Sequence, residues 1–336
     1  PEAIARLESA PLSGGTASQA EYVGGVSQAL PIGGRLSAAR QAGLADAVTR
    51  DREKDLARFE IVRSVRQAFA TALFRAEVLE VQTNTAIYLR ELVRITQARV
   101  EAGDTAPFDL SRVEAEEARH RLELRESERL HHEALDELAF AMGDFRTSIH
   151  SLAGSLAGLS QAENRTNVAD EDHPALSAAR GDVQAQAARL KLARAERVPD
   201  LHLDLLYRRL QGTRENAFDA GFRIAIPVFE RKKRVREAEH ELRASEARAE
   251  QIRNEIEHRQ HALRLQLQAL LEAAGIQKNE VIPSMEKALA AAQARYQAGD
   301  IPLSELLLAR RDEAAARLHY FESLRAILEA RAGLLP

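Results

Sequence analysis

Arg99-Val-Glu-Ala-Gly-Asp-Thr-Ala-Pro107 ends a long proline-free run, and Arg295-Tyr-Gln-Ala-Gly-Asp-Ile-Pro302 ends a second one. Gly299 lies 196 positions beyond Gly103, and Pro227 of Ala225-Ile-Pro227 lies the same 196 beyond Pro31 of Ala29-Leu-Pro31. Two stretches of equal length, without insertion or deletion, mark a duplicated unit. Glycine supplies the left-handed residue that ends a helix. Asp104 and Asp300 are expected to cap the helix that follows, with Pro107 and Pro302 in its first turn. The expectation is a tight αα-hairpin, made twice.

Composition supports long helices. Of the 336 residues 45% are hydrophobic but only 4% aromatic, without Trp. Ala, Leu, Glu and Arg dominate, as in coiled coils. The formal net charge of −4 implies no polyanionic partner. No basic stripe with interleaved aromatics is present, which argues against nucleic acid. The absence of cysteine excludes disulfides, thiolate metal sites and Cys nucleophiles. No run of 18 apolar residues is long enough for a transmembrane helix. No signal peptide is legible at Pro1, as expected of a mature or trimmed form.

Taken in order, Pro1 to Ser9 reads as a helix end, Ser13 to Ser18 as a connection, and Tyr22 to Leu30 as a short strand weakened by two glycines. From about Leu36 to Glu101 there is no proline, enough for a helix on the order of 100 Å. Ile61, Val65, Ala68, Ala72, Ala76, Leu79, Thr83 and Ala86 step by three and four, a heptad seam that needs partner helices. The first repeat, 1–173, is read as a strand at about 22–31, a long helix at about 34–102, a tip at 103–108, a return helix at about 109–142, and an equatorial loop region at 143–173. The second, 174–336, is read as a helix at about 175–197, a β-hairpin at about 200–228, a long helix at about 229–298, a tip at 299–303, and a return helix at about 304–333. Pro283 is expected to kink the second long helix, where the first has Ile87.

The β-hairpin shows period two. Leu201, Leu203, Leu205 and Tyr207 share one face against His202, Asp204 and Arg208; Phe218, Ala220, Phe222, Ile224 and Ile226 oppose Asp219, Gly221 and Arg223. Gln211 to Asn216 reads as the turn. Alternation of this kind suits a transmembrane barrel strand or a soluble sandwich. The segment before Pro31 is shorter than that before Pro227, so the first repeat is expected to lack part of a helix and one strand. Two or three strands cannot close a sheet, so several chains must share one barrel, and cyclic symmetry closes the ring.

The whole pattern resembles the TolC family of outer membrane efflux proteins. The matching residues are Val26-Ser-Gln-Ala-Leu-Pro-Ile-Gly-Gly-Arg35, Arg99 to Asp104, His173-Pro-Ala-Leu-Ser-Ala-Ala-Arg180, Arg197-Val-Pro-Asp-Leu201, Ile224-Ala-Ile-Pro-Val-Phe229 and Arg295 to Asp300, in family order over nearly the whole chain. The resemblance implies a mainly α fold with a small membrane β part. It implies a homotrimeric α-helical barrel tunnel, a shared antiparallel transmembrane β-barrel and an internal two-fold repeat. It places the chain in the outer membrane of a Gram-negative bacterium, with a periplasmic helical extension and outer membrane lipid around the barrel. Its implied partners are a periplasmic adaptor (membrane fusion) protein and an inner-membrane RND-type pump.

In the family the tip hairpins close the tunnel, which assigns Gly103, Asp104, Asp109, Tyr296, Gly299, Asp300 and Glu305 to the tip or gate. His202, Asp204, Arg208, Asp219 and Arg223 become candidates for the barrel lumen. The sequence flavour is similar to members of cobalt–zinc–cadmium efflux systems, so the expected cargo is metal cations, with drugs or other small organic molecules as the alternative. A periplasmic adaptor or a soluble coiled-coil scaffold is the rival class. Two equal hairpins oppose the first, and residues Leu201 to Ile226 oppose the second. No cofactor, no resident metal and no enzyme activity are expected. His258/His261 and His131-His132 near Asp136 lack a third ligand, Gly33-Gly34 lacks a P-loop's Lys, and the Glu/Arg ladders are ordinary helix surface.

Overall fold

The computed structural model describes residues 2–8, 21–144, 149, 151–161, 173–210, 216–224 and 230–334. The element order is β1 (Glu2–Glu8), β2 (Glu21–Leu30), α1 (Arg35–Glu101), α2 (Pro107–Ala141), α3 (Leu156–Gln161), α4 (Pro174–Ala195), β3 (Leu201–Leu210), β4 (Asn216–Ile224), α5 (Glu230–Ile276), a π-helical turn (Gln277–Val281), α6 (Ile282–Ala298) and α7 (Leu303–Leu334). Contacts divide the chain into one unit of residues 1–55 and 174–254 and another of 56–173 and 255–336. Each unit therefore draws on both sequence repeats.

The first unit holds an antiparallel sheet in the order β1-β2-β3-β4. Residues Glu2–Glu8, expected as a helix end, form a strand, so the first repeat does not lack one. β1 pairs with β2 from Glu2↔Ser27 to Glu8↔Glu21. The segment is too short for a periodicity to declare itself, and pairing with β2 decides its conformation. Register puts Tyr22, Val26, Leu30, Leu203, Leu205, Tyr207, Phe218 and Phe222 on one face. All of these side chains are exposed, the two phenylalanines at 77%. No described element covers that face. Gly25 permits the sheet to close, because a methyl group there would collide with the Leu205 carbonyl oxygen. Beneath the sheet in sequence, α4 packs on α5 through Leu190, Val235 and Ala238. It packs on α1 at Gly181, where a Cβ would meet Arg52 at 3.1 Å and Thr49 at 3.3 Å, and through Arg189–Asp46 at 2.9 Å.

The second unit is helical. Leu73, Phe74 and Val78 of α1 pack with Leu156 of α3, Ala274 of α5, and Tyr320, Leu324 and Ile327 of α7. Ala72 meets Ala134, Leu135 and Leu138 of α2. Leu89 and Leu92 join Val113, Leu289, Tyr296, Ile301, Leu303, Leu306 and Leu307. The sequence seam describes only part of this burial. Val65, Ala68 and Ala72 are half or fully buried, but Ile61 and Thr83 are exposed, because α1 packs on several sides and no single stripe records that. Ahead of Pro283 the second long helix passes through the π turn. The Ile282 N–H bonds back five residues to Gln277, and the π turn absorbs the hydrogen bond that proline cannot give.

Candidate functional site

The two tips have one backbone geometry. Gly103 and Gly299 sit at φ +84° and +83°. The Asp104 N–H donates to the Arg99 carbonyl at 2.9 Å and the Gly103 N–H to Val100 at 3.0 Å; Asp300 N–H donates to Arg295 at 2.8 Å and Gly299 N–H to Tyr296 at 3.1 Å. These are Schellman closures of the preceding helices. The aspartates therefore close the helix behind them by their main chain and do not cap the helix ahead. The N-cap of α2 is Ala106, without a side-chain hydrogen bond. Asp104 precedes that N-cap position by two residues, so its side chain is not placed to accept from the first amides of α2. Asp104 and Asp300 stay exposed, and Asp104, Asp109, Asp300 and Glu305 form no ion pair among the described residues.

Tyr296 differs from the other tip residues. It is 8% exposed and belongs to the core. Arg99 lies 5.3 Å above its ring, and its buried hydroxyl has no hydrogen-bond partner among the described residues. Tyr296 and Asp104 line one pocket of about 470 Å³ with Tyr88, Leu92, Ile95 and Leu306. The structure thus brings Asp104 to Tyr296 and leaves Asp109, Asp300 and Glu305 outside this cavity. Burial pushes the Tyr88 hydroxyl up, against a hydrogen bond with Gln293. Arg99 stood in the repeated motif and could have been read as a partner; Tyr88 carried no sequence signal.

Behind the tip, ion pairs tie the helices together. Glu313, 3% exposed, accepts from Arg310 at 2.8 Å and from Arg317. Arg310 also reaches Thr85 of α1 at 3.2 Å, and Arg317 reaches Glu286 of α6 at 2.6 Å. Glu116 of α2 receives Arg311 of α7 at 2.9 Å and Arg119 at 2.7 Å. Its burial opposes ionisation, but the two guanidinium hydrogen bonds outweigh it and hold the carboxyl down at about 2.

His202, Asp204, Arg208, Asp219 and Arg223 all fall on the sheet face opposite the apolar one. Arg208 pairs with Asp219 at 3.1 Å and Arg223 with Asp204 at 3.4 Å, while Ser27 donates to Asp204. Tyr207 stacks with Phe218 at 5.2 Å, and Tyr22 opposes Arg209 beside them. These rings gather at the end of the sheet where β3 passes to β4, an aromatic band such as anchors a barrel at a membrane interface. Among the described residues no group of three or more His, Asp or Glu is placed to hold a metal. His258 and His261 are exposed.

An apolar exterior on a small sheet, with a polar reverse face and long helical hairpins, defines a class of membrane channel subunit. The chain belongs to the outer membrane efflux protein family, which it matches over residues 4–144 and 166–335. As a member it is an outer membrane transport protein and not an enzyme. It is 25% identical over 282 residues to the cobalt-zinc-cadmium resistance protein CzcC of Cupriavidus metallidurans, covering 81% of this chain and 66% of that protein. The fold is shared with CusC (TM-score 0.82, 18% identity, 99% of this chain and 81% of that one). It is shared also with the outer membrane protein VceC of Vibrio cholerae (TM-score 0.78, 18% identity, 99% and 84%).

Proposed function

We propose that the chain is the outer membrane channel of a tripartite efflux system, a passive conduit that exports metal cations from the periplasm. The carrying observation is the sheet: one exposed apolar face, one polar face, and edge strands β1 and β4 that each pair on one side only among the described residues. A homotrimer would join β4 of each copy to β1 of the next, closing a barrel without edges. Its helical repeats, 1–173 and 174–336, would extend into the periplasm toward an adaptor protein and an RND-type pump. CzcC, a cobalt-zinc-cadmium resistance protein, favours metal cations over drugs as cargo.

Charge selection belongs at the tip in this reading. Asp204 and Asp219 face the lumen already matched by Arg223 and Arg208, with His202 beside them, so the barrel is close to balanced. At the tip Asp109, Asp300 and Glu305 form no ion pair among the described residues, and three copies of each around an axis attract cations. Gly103 and Gly299 shape the gate and Tyr296 braces it from within. Light scattering of the detergent-solubilised protein tests the assembly: a trimer supports the conduit, and a monomer soluble without detergent refutes it. In a planar bilayer, Asp109→Asn with Asp300→Asn is expected to lower cation preference; an unchanged reversal potential removes the tip from selectivity.

A further inference from the structure

One pocket and one exposed ring of the second unit lie beside the first tip. Phe108, in the first turn of α2, is 71% exposed, whereas Leu303, beside the proline of the other tip, is buried. One turn on, Arg112 shares the Phe108 face, is exposed, and has no ion pair among the described residues. The pocket of about 470 Å³ offers the complement: aromatic and aliphatic walls at Tyr88, Leu92, Ile95 and Leu306, with Glu91, Arg99 and Asp104 as its charged residues. Tyr296 stands in its wall, with Arg99 over the ring.

Pocket and ring lie on opposite sides of the unit. α1 and α7 touch through Thr85 and Arg310. α2 leans on both, through Ala72–Leu138 and Glu116–Arg311. α6 also leans on both, through Leu289 against Leu89 and Glu286–Arg317. Helices pack about 8–10 Å apart, so two that each rest on the same touching pair occupy its two sides. The pocket opens along α1 and α6, and Phe108 projects from α2. A ring beyond one edge and a pocket at the other give a head-to-tail contact, which closes into a ring under cyclic symmetry. The sheet, with unlike edges β1 and β4, demands the same kind of assembly.

We infer that Phe108 of one copy fills the pocket between α1 and α6 of the next, with Arg112 paired to that copy's Asp104. The inference rests on the trimeric reading and deepens it by naming the contact that joins the subunits at the tip. The Asp104–Arg112 pair leaves Asp109, Asp300 and Glu305 as the unmatched acids of the tip.

The chain contains no cysteine, so every disulfide in a double variant comes from the introduced thiols. Gln297 of α6 lines the pocket, so Phe108→Cys with Gln297→Cys, oxidised in detergent and run on a non-reducing gel, is expected to give dimer and trimer bands absent from both single variants. A trimer by light scattering without those bands overturns the inference while leaving the channel reading intact. Absence of any oligomer overturns both. A disulfide within one chain also overturns it, since Phe108 would then occupy its own pocket. Where the cysteines themselves prevent assembly, a charge swap decides with Phe108 in place. Arg112→Glu and Asp104→Arg should each make the trimer dissociate at lower detergent or heat challenge, and the pair together should restore its resistance. Losses that accumulate instead of cancelling reject the contact and leave the pocket to a different protein.

Discussion

Gly103 and Gly299 hold conformations that an L side chain adopts at a cost of about 1–2 kcal/mol. Nothing lies within 4 Å of a Cβ added at either, so backbone strain is the whole penalty. Gly103→Ala and Gly299→Ala should each lower stability by that amount in denaturant unfolding; a neutral result would mean the tips relax to another turn. Gly25 acts through space instead. The Leu205 carbonyl oxygen stands where a side chain at Gly25 would have to go, so Gly25→Val should prevent β2 from pairing with β3 and abolish assembly. The aspartates at the tips teach a related point. A residue type common at helix N-termini takes the end of the preceding helix here, because the Schellman bonds use its N–H and leave its carboxylate for solvent.

Within the second unit, α7 is the strut that ties the helices together. Glu313 is buried between two arginines, and removal of one partner from a buried pair costs about 3–5 kcal/mol. Glu313→Ala should show such a loss, and Glu313→Gln a smaller one, since it keeps a hydrogen-bond acceptor. The α2–α7 link predicts a pH response. The folded-state carboxyl of Glu116 is held down at about 2, below its unfolded value, so its stabilisation is present above about pH 4.3 and is lost as the pH falls toward 2. Melting temperature should therefore drop across that window, and Glu116→Gln should flatten the drop; equal slopes would show that other carboxylates carry it. The π turn is a third element effect. Pro283 breaks the ladder in the second long helix, whereas the first continues through Ile87.

For the whole molecule, the two faces of the sheet meet different surroundings. Leu205 stands on the apolar face at the middle of β3, between Val26 and Ala220. An arginine facing lipid at midplane depth costs about 2–4 kcal/mol, so Leu205→Arg should reduce membrane-inserted trimer sharply. Gly221→Arg, on the polar face with open space around it, should be tolerated. Equal damage from both would place the sheet in a protein interior and end the barrel reading. The exposed rings at Tyr22, Phe218 and Phe222 are acceptable only because a bilayer, not water, is their expected solvent.

By itself the sequence determined the features that repeat or alternate locally: two glycine-closed tips 196 residues apart, long helices, and strands at Leu201–Leu210 and Asn216–Ile224. Each follows from a rule about near neighbours, a left-handed φ, a period of 3.6 or a period of two. Tertiary structure alone decided the rest. Glu2–Glu8 is a strand because β2 pairs with it. Tyr296 is a core residue because α1 and α7 close over it, and Glu116 is held ionised by an arginine 195 residues away. Those outcomes depend on which elements meet, and long-range contacts leave no period in the chain to be read.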